Sequence, residues 1–380
     1  MSENRETWRG EAPILRAMEQ TLDQEACWRA VVARDARFDG RFFTGVTSTG
    51  IYCRPVCPAR TPKRENVTFH PTAAAAEEAG FRACLRCRPE TAPEMGAWRG
   101  TSNTVSRALA LIEAGALDTG DAETLAARLG VGERHLRRLF RQHLGAAPVS
   151  VAQTRRVLLA KQLIHDSDLS MAEVAMASGF GSVRRFNETF QALYGRAPSE
   201  LRRRKVEGQR AEIVRISLTY RPPYDWDAMI AALAARDAED EAVADGVWTR
   251  VLRPAVDGTE GAVCVRPGAH GRLAVAANVA ELKALPRVLA RVRRVFDLAA
   301  DPEAIARDLS EDSALRAAVA ARPGLRPPGD WIDADEDDPS DRLNTTDAAL
   351  LARAERWRPW RAYGAFYWKT IEEISDEQAA

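Results

Sequence analysis

The chain lacks long apolar runs, an excess of charge of either sign, and a signal-peptide pattern. No apolar stretch approaches the roughly 18 residues that a membrane-spanning helix needs, so we expect no membrane segment. Lys plus Arg number 54 and Asp plus Glu also number 54, so the total charge does not indicate a nucleic-acid partner. Without a secretory leader we expect a cytoplasmic protein whose cysteines stay reduced.

The residues that are present indicate several soluble domains with unevenly distributed charge. A length of 380 residues with 46% apolar and 28% charged residues suits two to four globular domains. Residues 25–90 hold eleven basic against seven acidic side chains, and residues 101–205 hold sixteen against ten. The second of these segments ends in Arg202-Arg203-Arg204-Lys205, whereas an acidic stretch runs from Asp333 to Asp341. The first two segments therefore suit a phosphate-bearing partner.

Four cysteines form the most informative pattern. Cys53 and Cys57 are spaced C-x3-C, and after 26 residues Cys84 and Cys87 follow as C-x2-C. Each pair lies in a short, proline-containing turn that can aim two sulfurs at one ion, which predicts a tetrahedral Zn²⁺ site. Such a site is often a closed structural one. Four thiolates on one Zn²⁺ also carry a net charge of about −2, which keeps sulfur deprotonated and nucleophilic without a general base.

The residues around these cysteines carry a resemblance. The segments Phe42 to Arg60, Arg64 to Phe69 and Ala79 to Cys87 closely resemble the amino-terminal domain of the Ada family of bacterial alkylation-response regulators, over about residues 25–90. The resemblance implies that Cys53 is both zinc ligand and nucleophile and accepts a methyl group from a methylated DNA phosphate. It implies further that the other three cysteines only hold the metal, and that Arg60 contacts DNA.

The middle of the chain, from Thr104 to Leu201, has helical periodicity throughout. Residues 122–129 and 134–140, joined at Gly130-Val131-Gly132, predict a helix-turn-helix with a basic second helix. Residues 171–177 and 182–190, joined at Ser178-Gly179-Phe180, predict a second one. Small helical domains that bind nothing also contain such pairs.

This segment resembles the DNA-binding domain of AraC-type regulators through Gly179-Phe180, Ser182, Phe186, Phe190, Gly195 and Pro198, with residues 149–165 as the linker helix. We expect the three phenylalanines to be core residues. The candidate phosphate or base contacts are Arg134, Arg137, Arg138, Arg184, Arg185 and Asn187.

The last third changes to mixed strands and helices. Residues 212–218 and 262–266 alternate like strands, and residues 226–236 and 285–298 are periodic like helices. Residues 218–226, 291–298, 301–302 and 322–326 resemble the amino-terminal domain of AlkA-type 3-methyladenine DNA glycosylases, and residues 354–363 resemble their last helix.

The glycosylase family places a helix-hairpin-helix and a catalytic aspartate between these two matches. Here only 24 residues separate Gly329 from Ala354, and they contain no L-P-G-I-G-type hairpin. Asp347 is the nearest candidate acid, with no such motif before it. The aromatic residues Trp357, Trp360, Tyr363, Phe366 and Tyr367 have helical spacing, which favours core packing over base stacking.

We therefore predict a multidomain protein: an α+β zinc domain (20–95), an all-α double helix-turn-helix domain (101–205), an α+β AlkA-like domain (208–329), and an acidic linker with a carboxy-terminal helix (330–380). The predicted function is methyl transfer from DNA methylphosphotriesters to Cys53, followed by activation of repair genes. The expected partners are Zn²⁺, double-stranded DNA and RNA polymerase, with the protein associated with the nucleoid. The alternatives are a bifunctional regulator and glycosylase that uses Asp347, and a plain transcription factor with structural zinc.

Overall fold

A computed structural model describes residues 22–93, 103–202, 213–236, 238–331 and 347–379. Arg203, Arg204, Lys205 and the acidic stretch from Asp333 to Asp341 lie outside these residues. Within the described ranges, no helix is both long and apolar enough to cross a membrane.

The elements are numbered along the chain. The strands are β1 Phe43–Val46, β2 Ile51–Cys53, β3 Val67–His70, β4 Arg82–Ala83, β5 Val214–Thr219, β6 Glu241–Ala244, β7 Val247–Leu252, β8 Gly261–Pro267 and β9 Arg272–Val279. The α-helices are α1 Gln24–Ala33, α2 Ala73–Glu78, α3 Asn103–Glu113, α4 Ala116–Thr119, α5 Ala122–Arg128, α6 Glu133–Leu144, α7 Pro148–Asp166, α8 Met171–Ala177, α9 Val183–Tyr194, α10 Trp226–Ala234, α11 Pro254–Asp257, α12 Leu285–Val295, α13 Pro302–Leu309, α14 Arg316–Ala321, α15 Ala348–Ala354 and α16 Arg361–Ala379. Short 3-10 turns cover Ala36–Phe38, Arg64–Asn66, Pro89–Thr91, Pro198–Leu201, Leu282–Ala284 and Glu355–Trp357.

The first region is a four-stranded sheet with α1 and α2, in the order β3-β1-β2-β4. β1 pairs antiparallel with β2 and β3, whereas β2 and β4 run parallel. α1 begins because the Asp23 carboxylate accepts from the backbone N–H of Glu25 and Ala26, and α2 begins at the Thr72 cap. α2 buries its four alanines, so helix and sheet approach closely.

The second region contains the two predicted helix-turn-helix units, α5–α6 and α8–α9, joined by α7. Asp121 caps α5, Ser182 caps α9, and Ser170 with Glu173 forms a capping box on α8. Gly179 turns the second unit at φ +88°, and a Cβ there would lie 2.2 Å from the Asp118 carboxylate, so this position requires glycine. The linker helix predicted over 149–165 is α7.

The third region is an antiparallel sheet in the order β5-β9-β8-β7-β6, covered by helices. The predicted strands correspond to β5 and β8 and the predicted helices to α10 and α12, with the ends shifted by a few residues. The apolar core of this sheet is continuous with that of the second helix-turn-helix unit: Phe186 and Phe190 belong to the same buried cluster as Val263 and Val265. The first unit has its own core, around Leu136 and Phe140. The two helix-turn-helix units therefore differ in what supports them.

Candidate metal centre and nucleic-acid interface

The four cysteines belong to two loops that a parallel strand pair places side by side. β2 ends at Cys53, and Cys84 directly follows β4; within the pair, Tyr52 lies opposite Ala83. The backbone N–H of Cys84 donates to the Tyr52 carbonyl at 3.0 Å. Because parallel strands leave a sheet at the same edge, both cysteine loops begin next to each other.

The sulfur positions fit a tetrahedral metal ion. All four Sγ atoms lie within 4.8 Å of one another. A Zn²⁺ with Zn–S bonds of about 2.3 Å keeps its sulfurs about 3.8 Å apart, so only small shifts are needed for binding. The backbone N–H of Arg54 donates to Cys87 Sγ at 3.4 Å, and that of Arg86 donates to Cys84 Sγ at 3.3 Å. Both donors favour the thiolate form.

Proximity alone does not ionise all four thiols. The hydrogen bond with Cys57 raises the pKa of Cys53, while the same contact lowers the pKa of Cys57 to about 7. The pKa of Cys84 is lowered as well, by hydrogen bonds from the other three thiols. The hydrogen bond with Cys53 acts to lower the pKa of Cys87, but those with Cys57 and Cys84 outweigh it, so this pKa is raised. The cluster therefore loses some of its protons easily but resists losing the rest. A bound dication is what makes four thiolates compatible at neutral pH.

The two halves of the cluster differ in access. Cys84 and Cys87 are buried, whereas Cys53 and Cys57 are partly exposed. Of the four cysteines, Cys53 and Cys57 are therefore the two that a large substrate such as a DNA backbone can approach more easily. Arg60 follows this loop and is exposed. The loop is anchored to α1 by Arg34, whose Nη2 donates to the Ala59 carbonyl at 3.1 Å.

Arg54, in the first cysteine loop, connects this loop to the second one through hydrogen bonds. Its Nη1 donates to the Thr91 hydroxyl at 2.7 Å and to the Cys87 carbonyl at 3.3 Å. Its Nε donates to Asp39 Oδ1 at 2.8 Å, and its Nη2 donates to Asp39 Oδ2, which makes a bidentate pair. Neither residue was predicted as a site residue. The available signal was an arginine placed between two metal ligands, where burial requires an acidic partner.

The second cysteine loop packs on α7, the helix that joins the two helix-turn-helix units. Lys161 is 0% exposed; its Nζ donates to Glu90 at 2.8 Å and to the Cys84 carbonyl at 3.4 Å. Arg88 pairs with both Glu90 and Asp166 at 3.0 Å. Burial acts to raise the pKa of Glu90, but the charges of Lys161 and Arg88 outweigh it, so this pKa is lowered. The ion pairs join the metal loop directly to the helical region.

The predicted DNA-contacting residues of the helix-turn-helix units are all exposed. Three lie on α6 and three on α9: Arg134, Arg137, Arg138, Arg184, Arg185 and Asn187. Arg137 pairs with Glu133 at 3.2 Å and Arg184 with Glu188 at 2.8 Å, both across one helical turn. Phe180, Phe186 and Phe190 are buried, so their prediction as core residues is confirmed. The basic faces are available to a ligand.

The carboxy-terminal aromatic residues are also core. Trp357, Trp360, Tyr363 and Tyr367 are buried, and Phe366 packs partly buried against the same cluster. Trp357 Nε1 donates to Asp312 and Trp360 Nε1 to Asp308, each at 2.9 Å, so these polar atoms are satisfied within the fold. Because their rings are buried, the two tryptophans and two tyrosines are not available to stack on a base.

Asp347 has a structural position. Its Oδ1 accepts from the backbone N–H of Ala349 at 2.8 Å and of Leu350 at 3.3 Å, which makes it the N-cap of α15. The carboxylate is thus engaged by its own helix.

Three families match successive parts of the chain. The family described as the metal binding domain of Ada matches residues 26–90, a helix-turn-helix domain matches residues 125–204, and the AlkA N-terminal domain matches residues 215–332. The cysteine geometry and the first match together identify the cluster as a Zn²⁺ site.

Two curated relatives and one solved structure are similar to the chain. A probable bifunctional transcriptional activator/DNA repair enzyme AlkA of Mycobacterium tuberculosis is 41% identical over 313 residues, which cover 80% of this chain and 62% of the relative. The chain thus spans less than two thirds of that relative. The bifunctional transcriptional activator/DNA repair enzyme AdaA of Bacillus subtilis is 30% identical over 46% of this chain and 81% of the relative. An NMR structure of the E. coli Ada protein in complex with DNA is 36% identical over 36% of this chain and 94% of that one, with a TM-score of 0.19.

Proposed function

Because the chain belongs to the Ada family of bifunctional transcriptional activators and DNA-repair proteins, we propose that it transfers methyl groups irreversibly from DNA methylphosphotriesters to Cys53 and then activates repair genes. The observation that carries this proposal is a four-cysteine centre with two buried and two partly exposed ligands. Exposure narrows the acceptor to Cys53 or Cys57, and the family motif favours Cys53.

The transfer is a single displacement at carbon. The Cys53 thiolate attacks the methyl carbon, an S–C bond forms, and the C–O bond to the phosphate breaks. The electron pair stays on the phosphate oxygen, which restores an ordinary phosphodiester anion. Cys53, Cys57, Cys84 and Cys87 would hold Zn²⁺, which would keep the Cys53 sulfur deprotonated at neutral pH. The product is a thioether, which is stable to hydrolysis, so each chain reacts once.

The remaining site residues position DNA. Arg60, exposed beside the reactive loop, contacts the phosphate backbone. Arg134, Arg137 and Arg138 serve the first helix-turn-helix unit, and Arg184, Arg185 and Asn187 serve the second. The predicted division at 20–95, 101–205, 208–329 and 330–380 assigns repair to the first domain and promoter binding to the second.

Methylation also acts as the switch. It takes the zinc cluster from a charge of about −2 to about −1, which weakens its repulsion of DNA phosphates. The packing of Lys161 against Glu90 supports joint action, since it attaches the metal loop to the helical region. The methylated protein then binds the promoter within the nucleoid and recruits RNA polymerase.

The proposal is tested by intact-mass measurement after incubation with duplex DNA that carries methylphosphotriesters, followed by peptide mapping. Wild-type protein is expected to gain one methyl group, located on Cys53, and Cys53→Ala is expected to gain none. Unmethylated duplex is the control for nonspecific adducts. A methyl group on Cys57, or full uptake by zinc-loaded Cys53→Ala, contradicts the assignment of the acceptor.

The switch is measured with the same samples. Promoter duplex selected by the methylated protein is titrated against methylated and unmethylated protein at one salt concentration, because the affinity depends on salt. Methylated protein is expected to bind more tightly. Equal dissociation constants would contradict the proposal that methylation increases promoter affinity, but would not contradict the proposed methyl transfer.

A further inference from the structure

The AlkA-like region, residues 213–331, has no part in the proposed transfer, yet it contacts the zinc domain through charged side chains. Arg221 Nη2 donates to the Asp39 carbonyl at 3.3 Å. Arg41, in the zinc domain, donates to Asp301 at 3.0 Å and lies 3.5 Å from Glu303. Arg221 is 3.5 Å from the same Asp301 carboxylate. Charges of opposite sign thus alternate across the junction.

The junction is buried and closely packed. The Arg221 side chain is 8% exposed and the Asp301 side chain is 1% exposed. Next to Asp39, Gly40 adopts φ +74°, and a Cβ there would lie 3.5 Å from Arg221 Nη2, across the junction. Burial lowers the pKa of Arg221 to about 10, which leaves the guanidinium charged at neutral pH. A charged donor fixed in this position restrains the Asp39 backbone strongly.

Asp39 is also the residue that holds Arg54. Its carboxylate accepts hydrogen bonds from Nε and Nη2 of Arg54. Arg54 in turn donates to the Cys87 carbonyl and to the Thr91 hydroxyl. A continuous set of contacts therefore runs from Arg221 through Asp39 and Arg54 to both cysteine loops. Partners beyond the ligands orient a metal site and tune its reactivity.

We propose that Arg221 is a positioning residue for the methyl-acceptor centre, so that the AlkA-like region serves the zinc site as a support. The inference rests on the proposed function, since it concerns the orientation of Cys53. In the absence of Arg221, Asp39 loses a backbone restraint, Arg54 is held less firmly, and the Cys53–Cys57 loop samples more orientations. The chemical step is then slowed while the DNA-binding surface is unchanged.

The test uses the full chain and compares Arg221→Ala, Arg221→Lys and Arg250→Ala. Arg250 is the matched control: its side chain is 11% exposed, and its ion-pair partners among the described residues, Asp240 at 3.6 Å and Glu241 at 2.7 Å, both lie in the same region as Arg250. Single-turnover methyl uptake is measured over a range of methylphosphotriester DNA concentrations, together with zinc per chain. Arg221→Ala is expected to lower the rate at saturating DNA about tenfold, with one zinc per chain and an unchanged half-saturating DNA concentration.

Arg221→Lys keeps the positive charge but loses the planar set of N–H donors of the guanidinium. Its rate of methyl uptake at saturating DNA is therefore expected to lie between those of Arg221→Ala and wild type. If Arg221→Ala does not fold, the test rests on Arg221→Lys: an intermediate rate supports the proposal and a wild-type rate overturns it. Equal slowing by Arg250→Ala, or no slowing by a folded Arg221→Ala, also overturns it.

A second readout separates this inference from the proposed function. If wild-type protein accepts no methyl group, the proposed function fails, and zinc release to a chelator then carries the test. Faster release from Arg221→Ala than from wild type and Arg250→Ala supports the positioning role. Equal release from all three contradicts it.

Discussion

Replacing Lys161 by methionine is expected to destabilise the zinc domain strongly. The substitution keeps most of the side-chain volume and removes the charge that faces Glu90, whose side chain is 1% exposed. Removing one partner of a buried ion pair costs about 3–5 kcal/mol, because the other charge stays buried. Arg88 remains 3.0 Å from Glu90 and compensates in part for the lost positive charge. The decrease in the free energy of unfolding is therefore expected near the lower end of this range, about 3 kcal/mol.

The assay is unfolding by denaturant, monitored through the release of zinc to a chromogenic chelator. This signal reports the unfolding of the region that holds the metal. The cycle formed by Lys161→Met, Glu90→Gln and the double variant isolates the pair. The double variant is expected to be more stable than the sum of the single losses implies, because neither charge is then left buried alone. Lys63→Met is the matched control: its side chain is 80% exposed and 3.6 Å from Glu65, and no measurable change is expected.

Two results would refute this reasoning. One is a loss below about 1 kcal/mol for Lys161→Met, which is the size of an ordinary exposed pair. The other is strict additivity in the cycle, which would mean that Lys161 and Glu90 do not stabilise each other.

Two further predictions concern the other regions. Incubation with methylated duplex DNA is expected to release no free 3-methyladenine, and Asp347→Asn is expected to be as stable as wild type, because asparagine caps a helix as well as aspartate. Multiple-turnover release that disappears in Asp347→Asn would instead support the bifunctional enzyme. Arg184→Ala is expected to weaken promoter binding and, if it contacts a phosphate, to reduce the salt dependence by about one ion. Arg253→Ala, which removes another exposed, ion-paired arginine, is the control and is expected to change neither quantity.

The sequence by itself determined the features that depend on residues close together in the chain. Two cysteines three or four positions apart in a proline-containing turn can bind one ion whatever surrounds them, so a four-thiolate metal site follows from the spacing. The two helix-turn-helix units were predictable for the same reason. Caps such as Ser182 act within a few residues, the positive φ of Gly179 is a local requirement of its turn, and apolar periodicity marks the buried face of each helix.

Only the tertiary structure decided which distant residues support these local features. The Arg54–Asp39 pair spans 15 residues, Lys161 and Glu90 lie 71 apart, and Arg221 reaches Asp39 across 182. Contacts at such separations leave no periodic pattern in the sequence. Each partner, taken alone, cannot be distinguished from an ordinary charged residue on the surface. The same holds for the shared core, since an apolar residue on α9 or β8 predicts burial but not the element that covers it. Burial of these charges and faces required the folded arrangement of all three regions.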